Sequence, residues 1–228
     1  MATTIVTTSA AGTNAPYKLG SPPDFGTLYS GRALEFDGVT DYVTVSDTPS
    51  FDPADDGKLT ISVWINTDTV AAGSRGIVGK REDTEQEGAW ALDMTADELT
   101  FMIFVSDGTP KTLVTSINLL VDTWYYIVVT MDDTIDTCKI YVNGSLEASD
   151  SSTITCNFAN TSHPFYIGHD GQAQQYFSGK IANVQLWNEI WSLSDVQYAY
   201  THPEKFAYNT PGTSLTTSNL KAWYPMTE

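Results

Sequence analysis

Asp37 and Asp41 lie four residues apart across the turn Phe36-Asp37-Gly38-Val39-Thr40-Asp41. A hard cation such as calcium collects several oxygen ligands, and a glycine-containing turn offers backbone carbonyls beside its two carboxylates, so the pair is a candidate calcium site. The same side chains can instead accept hydrogen bonds from the amides that follow them, as Asp does in many turns. Sequence alone leaves both readings open. A second set suits contact with a sugar: Trp90 and Tyr176 border loops and could present a stacking face, while His169, Asp170 and Gln172 sit in a glycine- and glutamine-rich stretch with polar groups to offer. Either aromatic could equally belong to a core. No Ser-His-Asp or Cys-His arrangement stands out by its spacing, and there is no phosphate-binding glycine loop. His163, His169 and His202 are the only histidines, and none has a partner at metal-ligand spacing.

The elements that must position these residues read as strands. From Gly31 to Gly179 short alternating or β-branched runs recur between turn signals, and helical periodicity never lasts beyond a turn or two. Ile61, Val63 and Ile65 alternate with Ser62 and Trp64, and Trp64, Trp124 and Trp187 fall inside expected strands. Phe101 to Val105 is apolar on both faces, so it should be central or covered by a partner. Asn143-Gly144 is the strongest hairpin signal, because both residues tolerate the positive φ of a type I′ turn. That hairpin sets Cys138 opposite residue 149 or 150 rather than Cys156, so a Cys138–Cys156 disulfide requires a further turn of the chain; the other reading is two buried thiols. Ser194 and Asp195 are expected to cap a short helix to about Thr201, with Leu193 as a staple and Pro203 as the stop.

Several stretches together resemble the laminin-G-like, concanavalin A-type family. Leu34-Glu35-Phe36-Asp37-Gly38 followed by Asp41-Tyr42-Val43 resembles its opening signature, and Leu59–Ile65, Asp122–Thr130, Lys139–Leu146 and Phe177–Trp187 resemble later strands in the family's order. The resemblance implies an all-β fold, a two-sheet antiparallel jelly-roll sandwich with one short C-terminal helix, over residues 31–203. It also implies a third calcium ligand in the closing strand, a position held here by Asn183, although Ala182 replaces an acidic residue often found beside it. Glucan-cleaving enzymes on this sandwich carry carboxylates alternating along one strand. Glu82, Asp83, Glu85 and Glu87 crowd a charged loop instead, so no catalytic residue is expected.

Composition narrows the partners. The net charge of −17, from 28 acidic and 11 basic residues, repels phosphate backbones and anionic lipid, which argues against nucleic acid and membranes. Acidity itself reads either as solubility in a salty or crowded medium or as divalent-cation binding. No apolar run approaches the roughly 20 residues of a membrane helix. Residues 1–30, rich in Thr, Ala, Gly, Pro and Ser, read as an extended arm that could anchor to neighbours, and Met1–Thr8 lacks the pattern of a secretory signal. Residues 204–228 form a C-terminal segment in which Leu220, Ala222 and Tyr224 alternate with Lys221 and Trp223. This pattern resembles the strand with which family members begin, and is expected to fold back as an edge strand. The expectation is a non-catalytic binding, adhesion or decoration module on a virion surface or otherwise extracellular, foremost a bacteriophage capsid-decoration or fibre protein. Its expected partners are cell-surface glycans or virion structural proteins, with a homo-oligomer, as a trimer, among them. The alternative is an accessory carbohydrate-binding domain of a secreted enzyme.

Overall fold

The computed structural model describes residues 33–48, 51, 57–82, 88–105, 109–152, 162–203 and 215–226. Among the described residues thirteen strands and one helix form an antiparallel two-sheet jelly-roll sandwich. One sheet runs in the order β1 (Leu34–Asp37), β12 (Ser178–Trp187), β3 (Lys58–Thr67), β8 (Trp124–Asp132), β9 (Thr137–Val142), β10 (Ser145–Asp150). The other runs β2 (Val43–Val45), β11 (Phe165–Ile167), β4 (Ser74–Lys80), β5 (Trp90–Thr95), β6 (Glu98–Phe104), β7 (Pro110–Val114).

Alternation decides what faces the interior, since successive side chains in a strand point to opposite faces. Ile61, Val63 and Ile65 of β3, Ile127 and Val129 of β8 and Ile181 of β12 meet Trp90, Leu92, Phe101, Ile103 and Phe165 of the other sheet in one core. The opposite face of the first sheet carries Trp64, Tyr126, Val128 and Trp187, and these are covered by Val196 and Ala199 of α1 (Leu193–Thr201) and by Trp191. The molecule therefore has a second apolar layer beneath its helix.

The helix begins one step earlier than its sequence implies. Ser192 is the N-cap: its hydroxyl accepts from the Asp195 amide, and the Asp195 carboxylate accepts from the Ser192 amide. Asp195 thus completes a capping box, Leu193 is the first helical residue rather than a staple, and Ser194 is not the cap. Asn143 (φ 50°) and Gly144 (φ 83°) make the β9–β10 turn, and the register sets Cys138 opposite Asp150. Cys138 is a buried free thiol, pushed up to about 12 by burial and then by Asp150; Cys156 lies outside the described residues, as do the arm at 1–30 and residues 204–214.

β13 (Leu220–Tyr224) adds to the first sheet by pairing with the upper half of β12, from Val184↔Tyr224 to Trp187↔Leu220. β1 pairs with its lower half, from Leu34↔Ile181 to Asp37↔Ser178. Between the two, Asn183 adopts φ 49° in a bulge of β12 against β3. Its Oδ1 accepts from Trp223 Nε1 at 2.7 Å and from Gln185 Nε2 at 3.1 Å. One buried amide therefore ties the last strand to the sheet.

Candidate functional site: an aromatic face on the second sheet

The turn after β1 is organised by Asp37 itself. Its Oδ1 accepts from the amides of Val39 (2.8 Å), Thr40 (2.8 Å) and Asp41 (3.0 Å), and its Oδ2 accepts from the Thr40 hydroxyl (3.0 Å). These donors, the Thr40 amide foremost, hold the carboxyl at about 2, below the ordinary value. Asn183 does not join this turn. Asp37 stands opposite Ser178, five residues before Asn183 on β12, a separation of about 16 Å along a strand. The three-residue set Asp37, Asp41, Asn183 is therefore corrected: the resemblance places Asn183 on the right strand, but the bulge commits its side chain to β13. Among the described residues no group of three or more His, Cys, Asp or Glu side chains is arranged to hold a metal ion.

The ligand candidates divide by exposure. Trp90 is fully buried in β5, its ring packed between Phe101 (centroids 6.4 Å) and Phe165 (6.0 Å), so it offers no stacking face and belongs to the core. Its register partner Ile103 also points inward, which fixes that orientation. His169, Asp170, Gln172 and Tyr176 share one loop that folds back over the outer face of the second sheet. The loop closes on a His169↔Tyr176 bridge, and Gly168 donates to Ile77 O (2.8 Å) while Gly76 donates to Gln175 O (3.0 Å) along β4. Three glycines let it lie flush: a Cβ on Gly76 or Gly79 would overlap the backbone of Asp170, and one on Gly171, at φ 101°, would overlap the carbonyl of Arg81.

Asp170 is fully buried and cannot touch a ligand; its Oδ1 accepts from the Gln172 amide (2.9 Å) and shapes the loop. His169 is 7% exposed, and its Nδ1 accepts from the Gly171 amide (3.0 Å). Around its ring stand three half-buried tyrosines, Tyr176 (4.6 Å between centroids), Tyr42 (5.3 Å) and Tyr166 (5.5 Å). Tyr42 immediately precedes β2 and Tyr166 lies in β11, so the patch joins the entry to one strand, a second strand and a loop. Tyr42 falls in the Asp41-Tyr42-Val43 stretch of the opening signature, which does not reveal its place in a patch; for Tyr166 only the alternation between inward Phe165 and Ile167 hints that it faces outward.

Charged groups rim this patch. Glu82, exposed, hydrogen-bonds Tyr166 and approaches His163 Nδ1 at 3.6 Å. Burial first, then the Glu82 charge and Tyr42, pushes the Tyr166 hydroxyl up to about 12, so it remains a neutral donor. Burial pulls His163 below its ordinary value against the pull of Glu82. Gln172 Oε1 accepts from Gln175 Nε2 (3.0 Å), so what the Gln172 amide can offer a ligand is its nitrogen, a donor. Half-exposed aromatic faces, a carboxylate and an amide donor can together stack on a ring and bond its hydroxyls.

Under the patch lies a buried ionic group. The Arg81 Nε is 3.4 Å from Asp170 Oδ2, its Nη1 donates to Met102 Sδ (3.2 Å), and its guanidinium lies 5.8 Å from the centre of the Phe104 ring. Arg81 thus covers the outward apolar side of β6, the cover that its two-faced sequence requires. Asp93, 3% exposed, faces the same pair.

Residues 37–197 match the family model described as the concanavalin A-like lectin/glucanases superfamily, Laminin_G_3. Among solved structures the chain is similar to the binding domain of Paraclostridial Mosquitocidal Protein 1, at 14% identity and TM-score 0.61 over 74% of this chain and 42% of that one. It is similar to the binding domain of botulinum neurotoxin serotype G, at 14% identity and TM-score 0.59 over 75% and 42%. A candidate carbohydrate-binding protein from Bacteroides ovatus matches at 22% identity and TM-score 0.60 over 85% of this chain and 51% of its own. The chain thus spans about half or less of these structures, and at such identities the likeness is one of fold. No curated protein sequence matches the chain.

Proposed function

Because the chain belongs to the concanavalin A-like lectin/glucanases superfamily, we propose that it is a non-catalytic carbohydrate-binding module whose contact surface is the Tyr42, Tyr166 and Tyr176 patch with Glu82 and Gln172 on its rim. The superfamily's description spans both binding and cleaving proteins, so the site must choose between them. Glycoside cleavage needs two accessible carboxyls flanking the scissile oxygen, about 5 to 9.5 Å apart. Among the described residues two acidic pairs meet on this sheet: Asp93 and Asp170, 3% and 0% exposed beside Arg81, and the partly exposed Asp47 and Glu82, which are engaged by Lys80 and His163. The first pair is sealed from any substrate, and the second is held by its own cations. The carrying observation is the partial exposure of three tyrosines around one histidine, an arrangement a core does not need.

The setting that fits is a surface on which such a module is displayed, and we place it on a bacteriophage virion as a capsid-decoration or fibre component. The alternative of an accessory carbohydrate-binding domain has its support in the Bacteroides ovatus likeness. A glycan array probed with and without calcium identifies the ligand. Tyr166→Ala and Tyr176→Ala are expected to abolish binding while leaving the melting temperature within a few degrees. Binding that survives both substitutions, or no binding to any neutral polysaccharide at millimolar site concentration, overturns the assignment.

A further inference from the structure

We propose that Asp93, Asp170 and Arg81 are positioning residues, a buried clamp that seats the loop from Gly168 to Phe177 on the second sheet and whose grip depends on one of the two carboxyls keeping its proton. The inference rests on the reading that this loop carries part of the binding surface, but the clamp exists without any ligand.

Geometry brings the three together. Asp93 is the cross-strand partner of Gly76 on β4, and it is above Gly76 that the Asp170 backbone nitrogen and Cβ lie, in the space a larger residue would fill. Trp90, Leu92 and Met94 alternate into the core, so Asp93 points to the outer face under the loop. One guanidinium, 3.4 Å from Asp170 and acting on Asp93 through its charge, therefore faces two carboxyls in a site closed to water. With both ionised the site holds a net negative charge; with one protonated it is neutral, and burial strongly favours the neutral arrangement.

Asp93 is the better holder of the proton. Its Oδ1 has no hydrogen-bond partner among the described residues, whereas Asp170 accepts from the Gln172 amide and approaches Arg81. Burial first, then the Asp170 charge, raises Asp93 well above the ordinary carboxyl range, with Arg81 opposing. Burial also raises Asp170, but the Gln172 amide, Arg81 and His169 counter it. The groups facing the pair are Asp170 and His169 from the loop and Arg81 after β4. Of the outward residues of β6, Thr100, Met102 and Phe104 carry no charge, and the one acid, Glu98, stands at the exposed start of the strand opposite Thr95. Lys80, whose register partner Trp90 points inward, is engaged by Asp47 at 2.9 Å.

The sign follows from linkage. A carboxyl whose folded-state value is raised contributes stability that is present at low pH and is lost as pH rises through that value. Removing the Asp93 proton to solvent leaves an unbalanced charge beneath the loop, so the loop loosens toward alkaline pH. The decisive measurement is amide hydrogen exchange without ligand, expressed as protection factors for Gly171, Gln172 and Phe177 from pH 5 to 9, with the Ile127 and Val129 amides as internal controls. Wild-type loop protection is expected to fall at least tenfold across this range while the controls hold, and Asp93→Asn, a neutral isostere of the protonated acid, is expected to keep acid-like protection throughout. Constant wild-type protection, or an equal fall in Asp93→Asn, overturns the clamp. Since no sugar is present, this outcome is independent of the tyrosine patch. If the patch also binds glycan, its affinity should weaken toward alkaline pH in wild type and stay level in Asp93→Asn.

Discussion

At the scale of single residues, the acidic side chains near Gly38 and those above Gly76 illustrate opposite uses of a carboxylate. Asp37 is exposed and satisfied by three backbone amides and a hydroxyl, so its folded form prefers the charge. Its contribution is fully present above the ordinary carboxyl value and is lost as pH falls toward about 2. Asp37→Ala should cost about 1 kcal/mol or less of stability in urea unfolding at neutral pH, because solvent screens so exposed a group. The cost should shrink as pH drops from 4 to 2. Calcium belongs to the same test: a melting temperature that rises with millimolar calcium in wild type and not in Asp37→Ala would assign the turn a cation, while an equal response in both would leave it an amide-capped turn. Trp90→Ala, by contrast, should cost about 3 to 5 kcal/mol through the cavity it leaves. The pairing of Asp37 with a glycine turn was legible in the sequence. The burial of Trp90 was not, because an aromatic at a strand's first residue points inward or outward according to register, and register is a property of two strands.

Elements follow local signals where those signals are strong and escape them where distant segments decide. Asn143-Gly144 marks its hairpin and fixes the register of Cys138, since few residues tolerate two consecutive positive φ values. The helix is legible too, though its cap is Ser192; Ser192→Ala should lower stability by about 1 kcal/mol, measured by chemical denaturation. Asn183 was legible only as a polar residue on the closing strand. Its left-handed conformation and its bond to Trp223 arise from a bulge that no spacing announces. Trp223→Phe removes that bond without emptying the site and should cost about 1 kcal/mol, and removing residues 218–228 should lower the melting temperature markedly by exposing half of β12. The loop over β4 is the least legible element. Its glycine- and glutamine-rich stretch reads as a loop, but glycines at 76, 79 and 171 are the sole trace of its docking, and a glycine within a strand signals close approach without saying of what.

Over the whole molecule, three apolar or ionic layers lie on two sheets: the helix on the first, the core between, and the clamp with its tyrosine patch on the second. The patch is rimmed by acidic Glu82 on a chain of net charge −17, so anionic polysaccharides should bind more weakly than neutral ones, with the gap narrowing as salt rises. Isothermal titration at low and high salt checks this. The strand order carries another consequence. β13 and β1 run in the same direction along β12, and the end of β13 at Tyr224, opposite Val184, approaches the start of β1 at Leu34, opposite Ile181. Three positions of β12 separate them, about 10 Å. Geometrically they are two halves of one interrupted strand, cut between its halves and sent to opposite ends of the sequence. A circularly permuted chain that starts at Leu215, passes from Met226 into Ala33 through a short polar bridge and ends after the helix should fold into the same sandwich with cooperative unfolding. The fold's connectivity would then begin where its architecture does, with the order of synthesis separated from the order of the sheet.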